Sequence, residues 1–350
     1  MTALTSNLSL NTQYGTKDYQ QQHGSSSSSS YVVEEIKGLI KVHKDGYVER
    51  PNIVPFVTCD LNPNLNIISR DIIIDNVTNI WARFYVPISQ KKLPLLIYFH
   101  GGGFCVGSAA WSCYHDFLAK LSSKVECLIM SVNYRLAPEN PLPAPYDDGL
   151  KALTWLKQKL LYQNEANDEC EWWIKNCNFS SVFLGGDSAG GNIAYNVAKR
   201  VFSCESVILK PLKLKGLILI QPFFGGEVRT ISEKCMVQLS GSALNLEAYD
   251  TYWRLALPYG EDRDHPWCNP LMKLEELKVL MMPCLVCISE MDILKDRNLE
   301  FCDALRREGK RVECEVFKDV GHAFQILSKS KVSNIRAIQM MARVKSFISI

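Results

Sequence analysis

The chain has 350 residues, 47% hydrophobic and 22% charged, with a formal net charge of +2. This is ordinary composition for a folded protein of one large or two modest domains, and the near balance of charge excludes a whole-chain basic footprint for nucleic acid. No apolar run approaches the ~18–20 residues of a spanning helix, so a membrane span is excluded as well.

The thirteen cysteines are odd in number and scattered, so they do not read as a disulfide framework. Residues 1–30 carry Gln20-Gln21-Gln22 and a serine run from Ser25 to Ser30. Such a tract buries too little apolar surface to offset its ordering entropy and is expected to be a disordered tail. It has no apolar h-region and no arginine, which argues against a secretory signal and a transit peptide. A reducing compartment follows as the expectation: the cytoplasm, with the nucleus left open.

Ordered sequence is expected from Tyr31. Lys44-Asp45-Gly46-Tyr47 places an Asp-Gly turn between Leu39–Val42 and Tyr47–Glu49, a hairpin signal. Asp71–Ile74 and Ile80–Val86 are two further strand candidates. From Leu95 the pattern changes to continuous apolar runs, the mark of strands buried on both faces. These runs are Leu95–Phe99, Cys127–Val132, Val182–Leu184, Leu217–Ile220 and Cys284–Ile288, with Val312–Phe317 as one more strand. Helical stretches lie between and after them, at Trp111–Ser122, Tyr146–Leu161, Gly191–Phe202, Asp296–Glu308 and Val332–Ile348. Alternating strands and helices imply a parallel α/β sheet with helices on both faces. Gly225–Asn269 interrupts the alternation and reads as an inserted cap, joined by residues 31–50.

Gly186-Asp187-Ser188-Ala189-Gly190 matches G-x-S-x-G, with a strand before it and a helix after it. That context turns the chain sharply and projects Ser188 above the sheet edge. His100-Gly101-Gly102-Gly103 follows directly on the strand Leu95–Phe99, and consecutive glycines free amides to face a developing oxyanion. The amides of Gly102, Gly103 and Ala189 are the candidate oxyanion hole. Gly101 belongs to the same loop, which His100 braces.

A serine needs a base, and the base an orienting acid. In this fold the order is Ser, acid, His. After Ser188 only His265 and His322 remain. His265 lies in the inserted stretch, whereas His322 follows the last strand, so His322 is the candidate base. Asp292 follows Cys284–Ile288 and is the candidate acid, with Glu290 and Asp296 as rivals. Cys284 and Cys287 have redox spacing but lie within a strand and read as core thiols. Cys105 reads as packing beside the glycine loop. No second Cys or His pair completes a metal site, so no metal is expected.

Taken together, His100–Gly103 and Gly186–Gly190 resemble the hormone-sensitive-lipase group of α/β-hydrolases. Asn133–Glu139 and Pro143–Asp148 fit that group, while Gly107–Asp116 and Arg263–Pro270 are similar to its plant carboxylesterase branch. The resemblance covers about residues 31–348. It implies an α/β-hydrolase fold: a mostly parallel eight-stranded sheet flanked by helices, a helical cap, and cofactor-free hydrolysis of small-molecule carboxylic esters by Ser188, Asp292 and His322. It also admits two other outcomes. One is a hormone or ligand receptor, since gibberellin receptors resemble the family but lack the catalytic histidine. The other is elimination or cyclisation on the same triad. Either a monomer or a homodimer is compatible.

Overall fold

The structure is a computed structural model describing residues 30–161, 171–203, 209–237 and 242–349. The expected disordered tail lies outside the described residues, apart from Ser30.

The main sheet has eight strands: β1 (Ile67–Asp75), β2 (Ile80–Pro87), β3 (Leu93–Phe99), β4 (Leu128–Asn133), β5 (Cys177–Asp187), β6 (Leu214–Ile220), β7 (Cys284–Ser289) and β8 (Val312–Phe317). Their spatial order is β8-β7-β6-β5-β3-β4-β2-β1. Only β2 runs against its neighbours; every pair from β4 through β8 is parallel. Because β3 pairs with β5 as well as β4, the loops leaving β3 and β5 lie side by side, at the point where strand order reverses. Open α/β sheets bind ligands at such points.

The apolar runs are continuous because the sheet has a core on each face. Leu95, Ile97 and Phe99 of β3 enter one core, while Leu96 and Tyr98 enter the other. Helices α1 (Ser112–Val125) and α6 (Lys331–Ile348) cover the second face. The first face carries α2 (Ala144–Leu161), α3 (Ala189–Ser203) and α5 (Lys295–Arg307). Cys284 and Cys287, three apart on β7, fall into opposite cores, as the period of two in a strand requires. They cannot act as a thiol pair, in keeping with packing roles.

The predicted strand Val182–Leu184 extends back to Cys177, which pairs with Leu93, although Asn178, Ser180 and Ser181 in between are polar. Residues 31–50 form a separate antiparallel sheet of Val32–Ile36, Ile40–His43 and Val48–Glu49. The Asp-Gly turn joins its last two strands, with Gly46 at φ 86°. Within 225–269 lie the short helix Ile231–Cys235 and helix α4 (Leu246–Ala256). The first is closed by a capping box between Thr230 and Glu233. Arg254 of α4 bridges Glu34 of the small sheet, Nε to Oε1 at 2.9 Å.

Candidate active site

At the end of β5 the chain reverses into α3 within one residue. Ser188 lies in the left-handed region at φ 53°, a strained conformation for a non-glycine residue that persists where surroundings over-determine it. Here its N–H donates to Ile220 O at 2.9 Å, and its carbonyl accepts from Phe223 N at 2.9 Å and Asn192 N at 3.2 Å. Glycine is obligatory beside it. A Cβ on Gly190 would fall 1.9 Å from Phe99 O, and one on Gly186 would fall 2.4 Å from the Gly190 carbonyl carbon.

His322, in the loop after β8, meets Ser188. Its Nε2 lies 2.9 Å from Ser188 Oγ and its Nδ1 lies 2.7 Å from Asp292 Oδ2. Asp292 is buried and also accepts from Leu294 N at 3.0 Å through Oδ1. The rivals are engaged elsewhere: Glu290 accepts from Asp319 N, and Asp296 accepts from Ser232 N in the inserted segment. His265 accepts from Trp267 N at 3.1 Å, within its own turn.

Burial alone would lower the pKa of His322. The charge and hydrogen bond of Asp292, with the charge of Asp187 behind, outweigh that and hold it above its ordinary value.

The glycine loop presents two amides. Gly102 lies at φ 114° and Gly103 at φ 58°. Among the described residues no hydrogen bond occupies the N–H groups of Gly102, Gly103 or Ala189. Ala189 opens α3, so its amide adds the positive end of a helix dipole. The loop is closed underneath by Cys105 and Val106, whose amides both donate to Gly102 O at 3.0 Å. A Cβ on Gly103 would meet the Tyr252 ring at 2.3 Å.

His100 is fully buried and stacks on Tyr134 with ring centroids 4.3 Å apart. Burial lowers its pKa to about 4. The neutral ring places Nδ1 2.8 Å from Gly101 O, the geometry of a brace, distant in role from proton transfer. Cys105 is buried with its thiol pushed far up by burial, and its carbonyl accepts from Arg50 Nε at 2.6 Å.

Three contributions escaped sequence reasoning. Asp187 is fully buried and accepts from Tyr98 OH at 2.7 Å and Tyr114 OH at 3.0 Å, while Tyr114 OH accepts from Gly101 N at 2.7 Å. A carboxylate beneath the serine thus holds the glycine loop through a tyrosine on α1. Burial raises its pKa to about 6, against the lowering by both tyrosines and His322. Arg50 likewise ties residues 31–50 to the loop, reaching Cys105 O and Ala137 O while forking onto Glu139. Gln221 is the third. Asp187 was visible inside the serine motif; its partners come from β3 and α1, which no local pattern connects to it.

Above Ser188 opens a cavity of about 250 Å³. Leu39, Val54, Val106, Trp111, Phe223, Leu244 and Tyr252 line it with Ser188 and His322. Trp253 does not: it is core, stacked on Phe223 at 4.9 Å. Trp173 packs on Phe84 at 4.8 Å.

A strand-turn-helix serine, a histidine-carboxylate relay and a glycine loop at the switch point of this sheet define an α/β-hydrolase. The family profile described as alpha/beta hydrolase fold matches residues 96–326, and the chain belongs to that family, in its plant carboxylesterase group. It is 48% identical over 322 residues to probable carboxylesterase 6 of Arabidopsis thaliana, covering 91% of each chain. A gibberellin receptor of the same plant is 32% identical, with 91% of this chain and 90% of the receptor aligned. The esterase of Pyrobaculum calidifontis superposes with TM-score 0.66 at 25% identity, over 79% of this chain and 84% of its own.

Proposed function

We propose that the protein is a carboxylesterase in which Ser188 is the nucleophile, His322 the general base and Asp292 its orienting acid. The observation that carries this reading is the continuous line Asp292–His322–Ser188 at 2.7 and 2.9 Å. Ser188 attacks the ester carbonyl as its proton passes to His322 Nε2. The Gly102, Gly103 and Ala189 amides receive the oxyanion. The imidazolium protonates the departing alcohol, and water, activated by the same histidine, releases the acid. Residues 31–50 and 225–269 form the cap of a single domain over residues 31–350, supported by Leu39, Leu244 and Tyr252 in the cavity wall. The enzyme acts in the cytoplasm, with the nucleus open, as a monomer or homodimer without nucleic acid. No helix among the described residues is long and apolar enough to cross a membrane.

Among the described residues the cavity wall contains no Lys or Arg and is mostly apolar. Neutral esters of small-to-medium acids, of plant-metabolite or xenobiotic type, suit it, whereas an ester bearing a distal carboxylate would lose hydration without gaining a cation. The test is hydrolysis of p-nitrophenyl acetate, butyrate, octanoate and hemisuccinate. We expect turnover of the neutral esters, with the hemisuccinate slower than butyrate by about 10-fold or more, the equivalent of ~1.4 kcal/mol. A folded protein inert to all four sinks the esterase reading and leaves ligand binding, as in the receptor, or elimination. Product analysis separates the last from hydrolysis.

A pH profile follows from the same site. His322 works as a base only when neutral, and its pKa is raised, so kcat/KM falls on the acid side through a limb above the ordinary value of ~6.5. Asp187 contributes to that raise, so Asp187→Asn is expected to move the limb to lower pH. An unmoved limb would remove Asp187 from the electrostatics of the base.

A further inference from the structure

We propose that Gln221 is a positioning residue that sets the backbone carrying His322; this rests on the reading of His322 as the base. Gln221 is the first residue past β6, buried, and held at φ 46°. Its N–H continues the ladder to Cys287 O at 2.7 Å. Its side-chain Oε1 accepts from the amide of Ala323 at 2.8 Å, and its Nε2 donates to Ser289 Oγ. One primary amide therefore joins the exit of β6, the last residue of β7 (three before Asp292) and the residue after His322.

The Ala323 bond matters because Ala323 itself is left-handed, at φ 55°. A non-glycine residue in such a sparsely populated conformation stays there only when its surroundings over-determine it. The Ala323 carbonyl is committed forward, accepting from Ile326 N and Leu327 N at the start of the helix Phe324–Leu327. Backward, towards His322, the amide has Gln221. Remove that acceptor and a buried N–H is orphaned one residue from the imidazole, which favours a rearranged loop. The hydrogen-bond line to Ser188 would lengthen, and misplacement on the order of 1 Å costs about 10²-fold in rate. Gln221 does not line the cavity, so it has no direct hold on substrate.

The experiment compares Gln221→Leu with Gln221→Glu. Leu fills similar volume but accepts nothing. Glu retains an oxygen for the Ala323 amide and can accept from the Ser289 hydroxyl, which rotates to donate. With p-nitrophenyl butyrate we expect Gln221→Leu to lose about 10- to 100-fold in kcat with KM within about twofold, and Gln221→Glu to recover most of it. The rate of Ser188 phosphonylation by a fluorophosphonate should fall and recover in parallel. A Gln221→Leu enzyme with wild-type kcat overturns the inference, as does equal slowing in both variants or a loss confined to KM. If Gln221→Leu does not fold, Gln221→Asn, one methylene too short to span Ala323 and Ser289, replaces it with the same expectations. A wild type that neither hydrolyses ester nor takes the label overturns the base assignment itself, and this inference with it.

Discussion

Ser188→Ala is expected to lower kcat for p-nitrophenyl butyrate by about 10⁴-fold or more while leaving the thermal midpoint unchanged. The hydroxyl oxygen is the only heavy atom removed. The turn that presents it is held by backbone bonds to Ile220, Phe223 and Asn192, none of which uses the hydroxyl. His322→Ala should cost a similar factor, since an alcohol without a base 2.9 Å away stays protonated. The double variant should lose little beyond either single change, because the residues act as one unit. What survives would come from binding and the unoccupied amides of the glycine loop and α3. A Ser188→Ala protein retaining a hundredth of wild-type turnover would require another nucleophile, and Cys113 in the cavity wall would be the first to examine.

The largest expected effect on stability is at Arg297. From α5 it pairs with Glu233 of the inserted segment, Nε to Oε1 at 2.9 Å, and its Nη2 also donates to the carbonyls of Gly226 and Val228. Glu233 has no exposed side-chain surface. In Arg297→Met the carboxylate keeps its capping-box bond but loses its counterion at a position closed to bulk solvent. Breaking a buried pair from one side costs about 3–5 kcal/mol. For a domain of this size that corresponds to a fall of very roughly 5–15 °C in the thermal midpoint, readable by calorimetry. Arg297→Met combined with Glu233→Leu should recover much of the loss, because no buried charge then remains. If the single variant melts like wild type, the pair contributes nothing net and the inserted segment is held by its apolar contacts alone.

Much of the architecture was legible along the chain because its signals are local. Continuous apolar runs mark strands covered on both faces, and the described strands lie on every run that was singled out. Limits were less legible. The strand around Phe183 gains residues at both ends because pairing with β3 supplies backbone partners to Cys177, Gly185 and Gly186, which lie outside the apolar run. Gly225–Asn269 was legible as an interruption that reads as a cap, but its internal elements were not. Its helix α4 turns Tyr252 onto Gly103, a contact decided by how the segment folds back.

The sequence by itself determined the candidate chemistry: a serine between glycines on a strand-to-helix turn, a glycine triplet after a neighbouring strand, and an acid and a histidine in the required order. These are short-range requirements of backbone conformation, and they appear as residue types at fixed spacing. Only the tertiary structure decided which carboxylate, among Glu290, Asp292 and Asp296, faces His322, and that Tyr98, Tyr114, Arg50 and Gln221 hold the loops around them. Such partners are set by strand order and helix packing across separations of up to 102 residues, where one hydrogen bond leaves no periodicity to read. The cavity belongs to that second class, its wall assembled from segments that meet only after the sheet has formed.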